Sequence, residues 1–359
     1  MSLLSIVVPV YNVKEYLNDA ISCLLNQTFE DFKTILVDDG SIDFSGSVCD
    51  EFLSVDDRMF TVHKKNGGLA SARNAGMTVV CTDYIAFMDA DDYFTNDFVS
   101  IAIENLKRYK PDGVVFGWQY VTSDGVQPPQ LTGLPKSEIL DKTYIHDKII
   151  PRLINLNNVF ENFIFDFAWN KIYKTEIIRN NHILFDEQRR IWEDRVFVVE
   201  YLKNCENYFC IGEPLYNYVQ VEGSLSSKYY LNFFDIILDN YNKYFMWFAD
   251  DYDFDNQYSN NYWCNAIENM VFRSLDEVEY QERIKKNILK VFKNNTVSNW
   301  YKKRTPKNRF EKNTCKLMIN EKYQELLKSY EVMHRKLQRK KHREKLRIEL
   351  RKKVKNLLK

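Results

Sequence analysis

Leu3-Leu4-Ser5-Ile6-Val7-Val8-Pro9-Val10 is a continuous apolar, β-branched run, which is how a strand buried on both faces reads. Tyr11-Asn12 ends it. From Lys14 to Gln27 the period changes, with Tyr16/Leu17, Ala20/Ile21 and Leu24/Leu25 recurring at helical spacing. Phe32 to Val37 predicts a second strand, closed by Asp38-Asp39-Gly40-Ser41. A helix over 43–52 and a short strand over 59–63 follow. Asn66-Gly67-Gly68 is a turn, and Leu69 to Val80 a helix whose small residues permit close packing. Tyr84 to Met88 is a fourth strand that runs into Asp89-Ala90-Asp91-Asp92. A helix over 96–109 and a strand over 113–121 complete this part.

Strand and helix thus alternate through residues 1–121, the pattern of an α/β fold with a mostly parallel, Rossmann-like central sheet. Ligands bind such sheets outside the carboxyl ends of the strands. Asn12, Asp38, Asp39 and Asp89 to Asp92 all fall at those ends. If each were only a turn or helix cap, nothing would require three polar clusters to converge on one rim.

The remainder is less regular. A Pro/Gly-containing loop covers 122–135, and 136–225 mixes short helices and strands. That segment holds Ala168-Trp169-Asn170-Lys171 and Trp192-Glu193-Asp194. Residues 226–330 read as an α-helical region, and 331–359 as a basic amphipathic helix with Leu346, Leu350, Val354 and Leu357/Leu358 on one stripe. A sequence of 359 residues fits one large domain with an appendage, or two domains. We divide it into an α/β domain over 1–225 (a regular half over 1–121 and a less regular half over 122–225), the helical region over 226–330 and the basic helix over 331–359.

Charge sharpens this division. Lys/Arg and Asp/Glu number 50 each, yet residues 331–359 carry 13 of the former and 3 of the latter, leaving 37 against 47 in 1–330. The end of the chain is therefore expected to meet something anionic. Seven cysteines without C-x-x-C spacing argue against a disulfide framework or zinc site and for a reducing compartment. The first apolar run is too short for a signal peptide, and no run approaches a membrane span.

Three carboxylates together repel unless a cation joins them. Asp89, Asp91 and Asp92 at a strand end point to a hard divalent ion, Mg²⁺ or Mn²⁺; the plainer reading is a helix cap. Tyr93 and Phe94 exclude a calcium-binding EF-hand loop. Glu193-Asp194 before an apolar helical stretch is a carboxylate pair that favours a helix start.

Ser5-Ile6-Val7-Val8-Pro9-Val10-Tyr11-Asn12, Val37-Asp38-Asp39-Gly40-Ser41, Asn66-Gly67-Gly68-Leu69-Ala70-Ser71-Ala72-Arg73-Asn74 and Phe87-Met88-Asp89-Ala90-Asp91-Asp92 occur in that order. Together they resemble glycosyltransferase family 2, with the glycosyltransferase-A fold, of the kind that builds bacterial exopolysaccharide and capsule. The resemblance covers roughly residues 3–225 and implies that 1–225 is a catalytic domain, with a nucleotide-sugar-binding half over 1–121 and an acceptor and catalytic-base half over 122–225. It implies a UDP-sugar donor held by Pro9, Tyr11, Asn12, Asp38, Asp39, Arg73, Asp89, Ala90 and Asp91. The Asp38–Asp39 pair would accept the uracil N3–H, and Arg73 would meet the base region or diphosphate. Asp91, with Asp89, would hold Mn²⁺ or Mg²⁺ against the diphosphate. Asp194 would be the catalytic base and Glu193 its support, giving inversion at the anomeric carbon. Asp92, Trp169, Lys171 and Trp192 would lie on the acceptor side. One departure stands out: where many relatives carry Arg or His near the diphosphate, this chain has Val219-Gln220.

A basic helix with an apolar stripe fits an anionic membrane surface. With the family resemblance it implies a lipid-linked saccharide acceptor, such as a polyprenyl-diphosphate sugar, and a cytoplasmic enzyme peripheral to the inner face of the cell membrane. Nucleic acid is not an expected partner, since no recognition motif is present and 1–330 is acidic. Two alternatives stay open. One is a catalytically idle homologue escorting another transferase. The other is a sugar-nucleotidyltransferase, although the Gly-rich basic loop it needs after the first strand is absent. A dehydrogenase lacks its G-x-G-x-x-G here.

Overall fold

The computed structural model describes residues 2–131, 137–154, 164–189, 192–220, 233–253, 256–276 and 281–357, with side chains as far as 343. Two compact units are present: residues 1–154 with 159–227, and residues 155–158 with 228–359.

The first unit is built on one sheet. Strands β1 (Leu4–Val10), β2 (Lys33–Asp38), β3 (Met59–His63) and β4 (Tyr84–Phe87) alternate with helices α1 (Lys14–Leu25), α2 (Ser45–Leu53) and α3 (Leu69–Val79). All seven residues of β1 are buried, so its unbroken apolar run follows from having neighbours on both edges and helices on both faces. β1 pairs in parallel with β2 and β4, and β2 with β3. After β5 (Tyr93–Phe94), α4 (Phe98–Tyr109), β6 (Gly113–Thr122), β7 (Gly125–Val126) and β8 (Glu138–Asp141) come α5 (Lys142–Tyr144), a π-helical turn over Ile145–Ile149 and α6 (Ile150–Leu153). Then follow β9 (Lys171–Lys174), α7 (Thr175–Asn180), α8 (Glu193–Leu202) and β10 (Asn207–Val219). The strand order is β3-β2-β1-β4-β9-β6-β10-β5, with β7 on β6 and β8 on β10. The longest ladders are parallel. β9 runs antiparallel to both β4 and β6 and joins the two parallel blocks. A strand at this position was not legible in the sequence as part of the central sheet.

Two details place the site. Val7 O accepts from Met88 N at 3.1 Å and Val10 O from Asp39 N at 2.9 Å. Alternation along β1 therefore turns the backbone of residue 9 toward β4. Pro9 has no N–H to donate there, and β4 leaves the ladder and turns into Asp89. Helix α3 lies against β1 because residue 76 is glycine: a Cβ there would stand 2.3 Å from Val7 Cγ1.

The second unit is helical: α9 (Phe233–Phe248), α10 (Gln257–Asp276), α11 (Gln281–Phe292), α12 (Asn295–Lys303), α13 (Arg309–Ile319) and α14 (Tyr323–Leu357). Its core holds Trp263, Ile267, Phe292, Trp300 and Tyr330. Arg304 is 1% exposed at its side chain and pairs with Glu268 and, at 3.4 Å, with Glu311. The expected basic helix is the distal part of α14, which begins at Tyr323 rather than at 331 because Leu326, Leu327 and Tyr330 bury its first turns. The apolar stripe from Leu346 onward lies outside the described side chains.

Candidate active site

The carboxyl ends of β1, β2 and β4 carry the predicted clusters, and the strand register explains why they meet. Asn12, in the left-handed region (φ 52°) that Asn tolerates, ties two of these ends together. Its Oδ1 accepts from Ile42 N at 2.9 Å, and its N–H donates to Ser41 Oγ at 3.2 Å. Tyr11 beside it is 47% exposed. Asp38 accepts from Ser41 N at 2.9 Å through Oδ1 and sits 2.9 Å from His63 Nδ1 through Oδ2. Burial works against its charge, but these hydrogen bonds from Ser41 and His63 hold it below the usual carboxylate range. Asp39 is turned inward. Its oxygens accept from Gly67 N at 2.9 Å, Gly68 N at 2.7 Å and Lys64 Nζ at 2.5 Å, which fastens the Gly-Gly turn to β2.

That turn starts α3, and α3 delivers Arg73. The Arg73 side chain is 1% exposed and spans two carboxylates. Its Nη2 donates to Asp89 Oδ1 at 2.7 Å and its Nη1 to Asp194 Oδ1. The guanidinium lies over the Phe185 ring at 5.2 Å. Burial would lower its pKa, but Asp194 and Asp89 raise it further, so it stays charged. Asp194 Oδ2 accepts from Ala168 N at 3.0 Å. A carboxylate has about four lone-pair positions, so each Asp194 oxygen keeps room for another donor. Glu193 and Asp194 occupy the first turn of α8, after Trp192 in the left-handed region at φ 63°. Burial and Asp194 push the Glu193 carboxyl up to about 7.

The Asp-x-Asp turn is held from below. Tyr216 on β10 donates to Asp92 Oδ2 at 2.7 Å and accepts from Asp89 N at 3.1 Å. Val219 N donates to Asp92 Oδ1 at 2.7 Å. Asp92 is therefore an internal anchor, not a group facing an acceptor. Burial, then Asp89, raises Asp91 to about 6. No side-chain hydrogen bond to Asp91 is found among the described residues. An oxygen-only group that burial and a neighbouring carboxylate keep reluctant to ionise suits a hard divalent cation. Among the described residues no three His, Cys, Asp or Glu cluster as a ready cage, so such an ion would take its other ligands from phosphate and water. Ala90 is buried within the turn.

Two further residues expected on the acceptor side are, like Asp92, interior. Trp169 is 3% exposed and stacks on Tyr216 at 4.3 Å. Lys171 is fully buried, and its ammonium donates to Ile164 O at 3.3 Å, Asn170 Oδ1 at 2.8 Å and Phe167 O. Burial lowers its pKa to about 7, opposed by Asp166 and Asp194. The apolar surroundings of β9 explain both placements. Trp192 is half-buried, with the Arg195 guanidinium 5.8 Å above its ring. Val219 contributes backbone, and Gln220 N donates to Val121 O at 3.0 Å; residues 221–225 lie outside the described ones. Tyr216, Ala168 and His63 were missed as site-shaping residues. Tyr216 stands three positions before Val219, but its role depends on a contact 124 positions away.

The family model for glycosyl transferase family 2 matches residues 5–181. The glycosyltransferase GlyG of Streptococcus pneumoniae serotype 4 is 30% identical over 228 residues, 62% of this chain and 72% of GlyG. EpsJ of Bacillus subtilis, an uncharacterized glycosyltransferase, is 32% identical over 226 residues, 62% of this chain and 63% of EpsJ. A crystal structure of S. aureus TarS residues 1–349 in complex with UDP-GlcNAc aligns with a TM-score of 0.59 at 17% identity, covering 93% of this chain and 92% of that one. At that identity the likeness speaks for a shared fold.

Proposed function

This chain belongs to glycosyltransferase family 2, and from that premise we propose that it is an inverting, metal-dependent sugar transferase. It moves a sugar from a UDP-sugar to a saccharide acceptor in cell-surface polysaccharide synthesis. The observation that carries this reading is Arg73. One buried guanidinium joins Asp89, from the donor-side motif, to Asp194, the expected base, so the two halves of the chemistry share a centre. The UDP-GlcNAc complex of TarS supports a uridine nucleotide donor.

Asp194 accepts the proton of the acceptor hydroxyl as that oxygen attacks the anomeric carbon. The bond from that carbon to the diphosphate breaks, and UDP departs with the electron pair. One displacement inverts the centre. Arg73 holds the base in position from one side and the Ala168 N–H from the other. Asp91 and Asp89 are the residues that would hold Mn²⁺ or Mg²⁺, whose charge offsets that of the leaving diphosphate. The Asp38 edge receives the uracil. Intact carboxylates at 91 and 194, the latter joined to Asp89 through Arg73, favour this over an idle homologue.

The acceptor reading rests on α14. No described helix is long and apolar enough to cross a membrane, whereas 331–359 carries 13 Lys/Arg. A peripheral position on the inner, anionic leaflet would bring the site to a lipid-linked saccharide.

Incubation with a panel of UDP-sugars and Mn²⁺, followed by UDP release, tests the donor. Release from one donor, abolished by EDTA and by Asp194→Asn, supports the reading. Absence of any UDP binding by calorimetry overturns it. Co-sedimentation with phosphatidylglycerol vesicles but not with phosphatidylcholine vesicles, lost at high salt, is the result expected for the membrane part.

A further inference from the structure

His63 ends β3, directly opposite Asp38 in the parallel register. Its Nδ1 lies 2.9 Å from Asp38 Oδ2, and its Nε2 lies 2.9 Å from Asp50 Oδ1. A neutral imidazole has one N–H and one lone pair. In this geometry its lone pair would face a carboxylate oxygen at hydrogen-bond distance, which is repulsive. Only the imidazolium donates to both. The ring is 48% exposed and Asp50 55%, so the proton exchanges freely with water, while Asp38 is 9% exposed and depends on its neighbours. The start of α2 leaves room for the pair: a Cβ at Gly46 would stand 2.7 Å from Asp38 Oδ2. Asp38, Ser41, Phe44, Gly46, Asp50 and His63 line a surface cavity of about 390 Å³.

We propose that the His63 imidazolium is a positioning group for the donor base, holding the Asp38 carboxylate in place and giving nucleoside-diphosphate binding a dependence on pH. The proposal rests on the reading of Asp38 as the nucleobase contact. Two effects act together. Loss of the proton leaves one N–H for two carboxylates, so the bridge from Asp50 through His63 to Asp38 is broken at one end and no longer fixes Asp38 from both sides of the ring. It also changes the Asp38–His63–Asp50 group from a formal charge of −1 to −2, next to a ligand that is itself an anion.

The surroundings do not compensate. On β2 the facing charge is Asp38, and on α2 it is Asp50. The Cys49 thiol of α2 is pushed up to about 12 by burial and by those two carboxylates, so it stays neutral. The Lys64 ammonium is turned to Asp39, and that of Lys14 rests 5.0 Å over the Phe44 ring. Hydrogen bonds to Asp38 and then Asp50 raise the His63 pKa above 6.5, against burial. The bridge is therefore complete below the ordinary imidazole value and is lost as pH rises through the raised one.

UDP binding to the full chain would be measured by calorimetry from about pH 6.5 to about 8.5. A Kd that weakens about fivefold or more across that range, with His63→Gln weaker at the acid end and nearly flat, is the expected result. Asp50→Asn, a change at an exposed position, should move the midpoint to lower pH. ¹⁵N NMR should find both His63 ring nitrogens protonated at the acid end, with a midpoint above that of a free imidazole. A flat wild-type profile, an unchanged slope in His63→Gln or an ordinary His63 midpoint overturns the proposal while leaving the donor reading standing. No UDP binding by the wild type at any pH defeats the donor reading itself, and this proposal with it.

Discussion

Tyr216 donates a 2.7 Å hydrogen bond to Asp92, a residue 124 positions earlier in the chain, and the same hydroxyl accepts from the Asp89 backbone at 3.1 Å. One phenol thus fixes both ends of the turn that presents Asp91. Tyr216→Phe keeps the ring stack on Trp169 and removes both of these bonds. It leaves a buried carboxylate short of a donor, a loss of about 1–3 kcal/mol of stability. Denaturant unfolding of the two proteins, with Mn²⁺ affinity measured alongside, checks this. Weaker metal binding is expected together with the lost stability.

Asp194 and Glu193 are neighbours in α8 with different expected roles. Asp194→Asn should lower kcat by about 10²–10⁴-fold with UDP binding retained, because it removes the proton acceptor while Arg73 keeps its pair with Asp89. Glu193 is pushed up to about 7 by burial and Asp194, so near neutrality it already holds a proton for much of the time. Glu193→Gln mimics that form and should cost less than about tenfold in kcat. Steady-state kinetics on both variants, with the donor and acceptor identified, separate the two residues.

Arg73 pairs with both Asp89 and Asp194, and its side chain is 1% exposed. Arg73→Met keeps much of the volume and leaves two carboxylates facing each other without a cation. A loss of about 3–5 kcal/mol is expected, since breaking a buried pair leaves an uncompensated charge. Melting at low pH should recover part of the difference, because protonating either carboxylate relieves the repulsion.

Asp91 titrates near 6, raised by burial and Asp89 from 3.8. Between those values the folded chain holds a proton that the unfolded chain has released, so this group makes stability fall as pH rises through the window. A divalent cation must displace the same proton. Mn²⁺ affinity should therefore drop as pH falls below about 6, and Asp91→Asn should abolish both trends. Calorimetric titration of Mn²⁺ on either side of that pH provides the check.

Lys171 lies three residues beyond Ala168, whose N–H donates to Asp194. Its ammonium gathers the carbonyls of Ile164 and Phe167, while Tyr173 donates to Ala168 O at 3.0 Å and Ala168 N donates to Asp194. A residue expected to meet an acceptor is thus tied instead to the segment whose Ala168 N–H donates to Asp194.

Local pattern was enough for the first half of the sheet. The β-branched run of β1, the Asp-Asp-Gly-Ser stop after β2 and the apolar strand ending in Asp89 are short-range signals, and strand period and parallel winding leave little choice about which ends share a rim. The four ordered motifs also carried the family. What the sequence could not decide were contacts between distant segments. Arg73 looked like a phosphate ligand because its type allows it, yet folding places it between carboxylates 16 and 121 positions away. Trp169, Lys171 and Asp92 are polar or amphipathic residues beside a motif, and nothing in their spacing tells an open wall from an anchored interior. β9 determines that: by inserting antiparallel between β4 and β6 it draws the 164–171 segment under the site. Burial is a property of the packed chain, so the side chains whose chemistry depends on burial were the ones only the tertiary structure could assign.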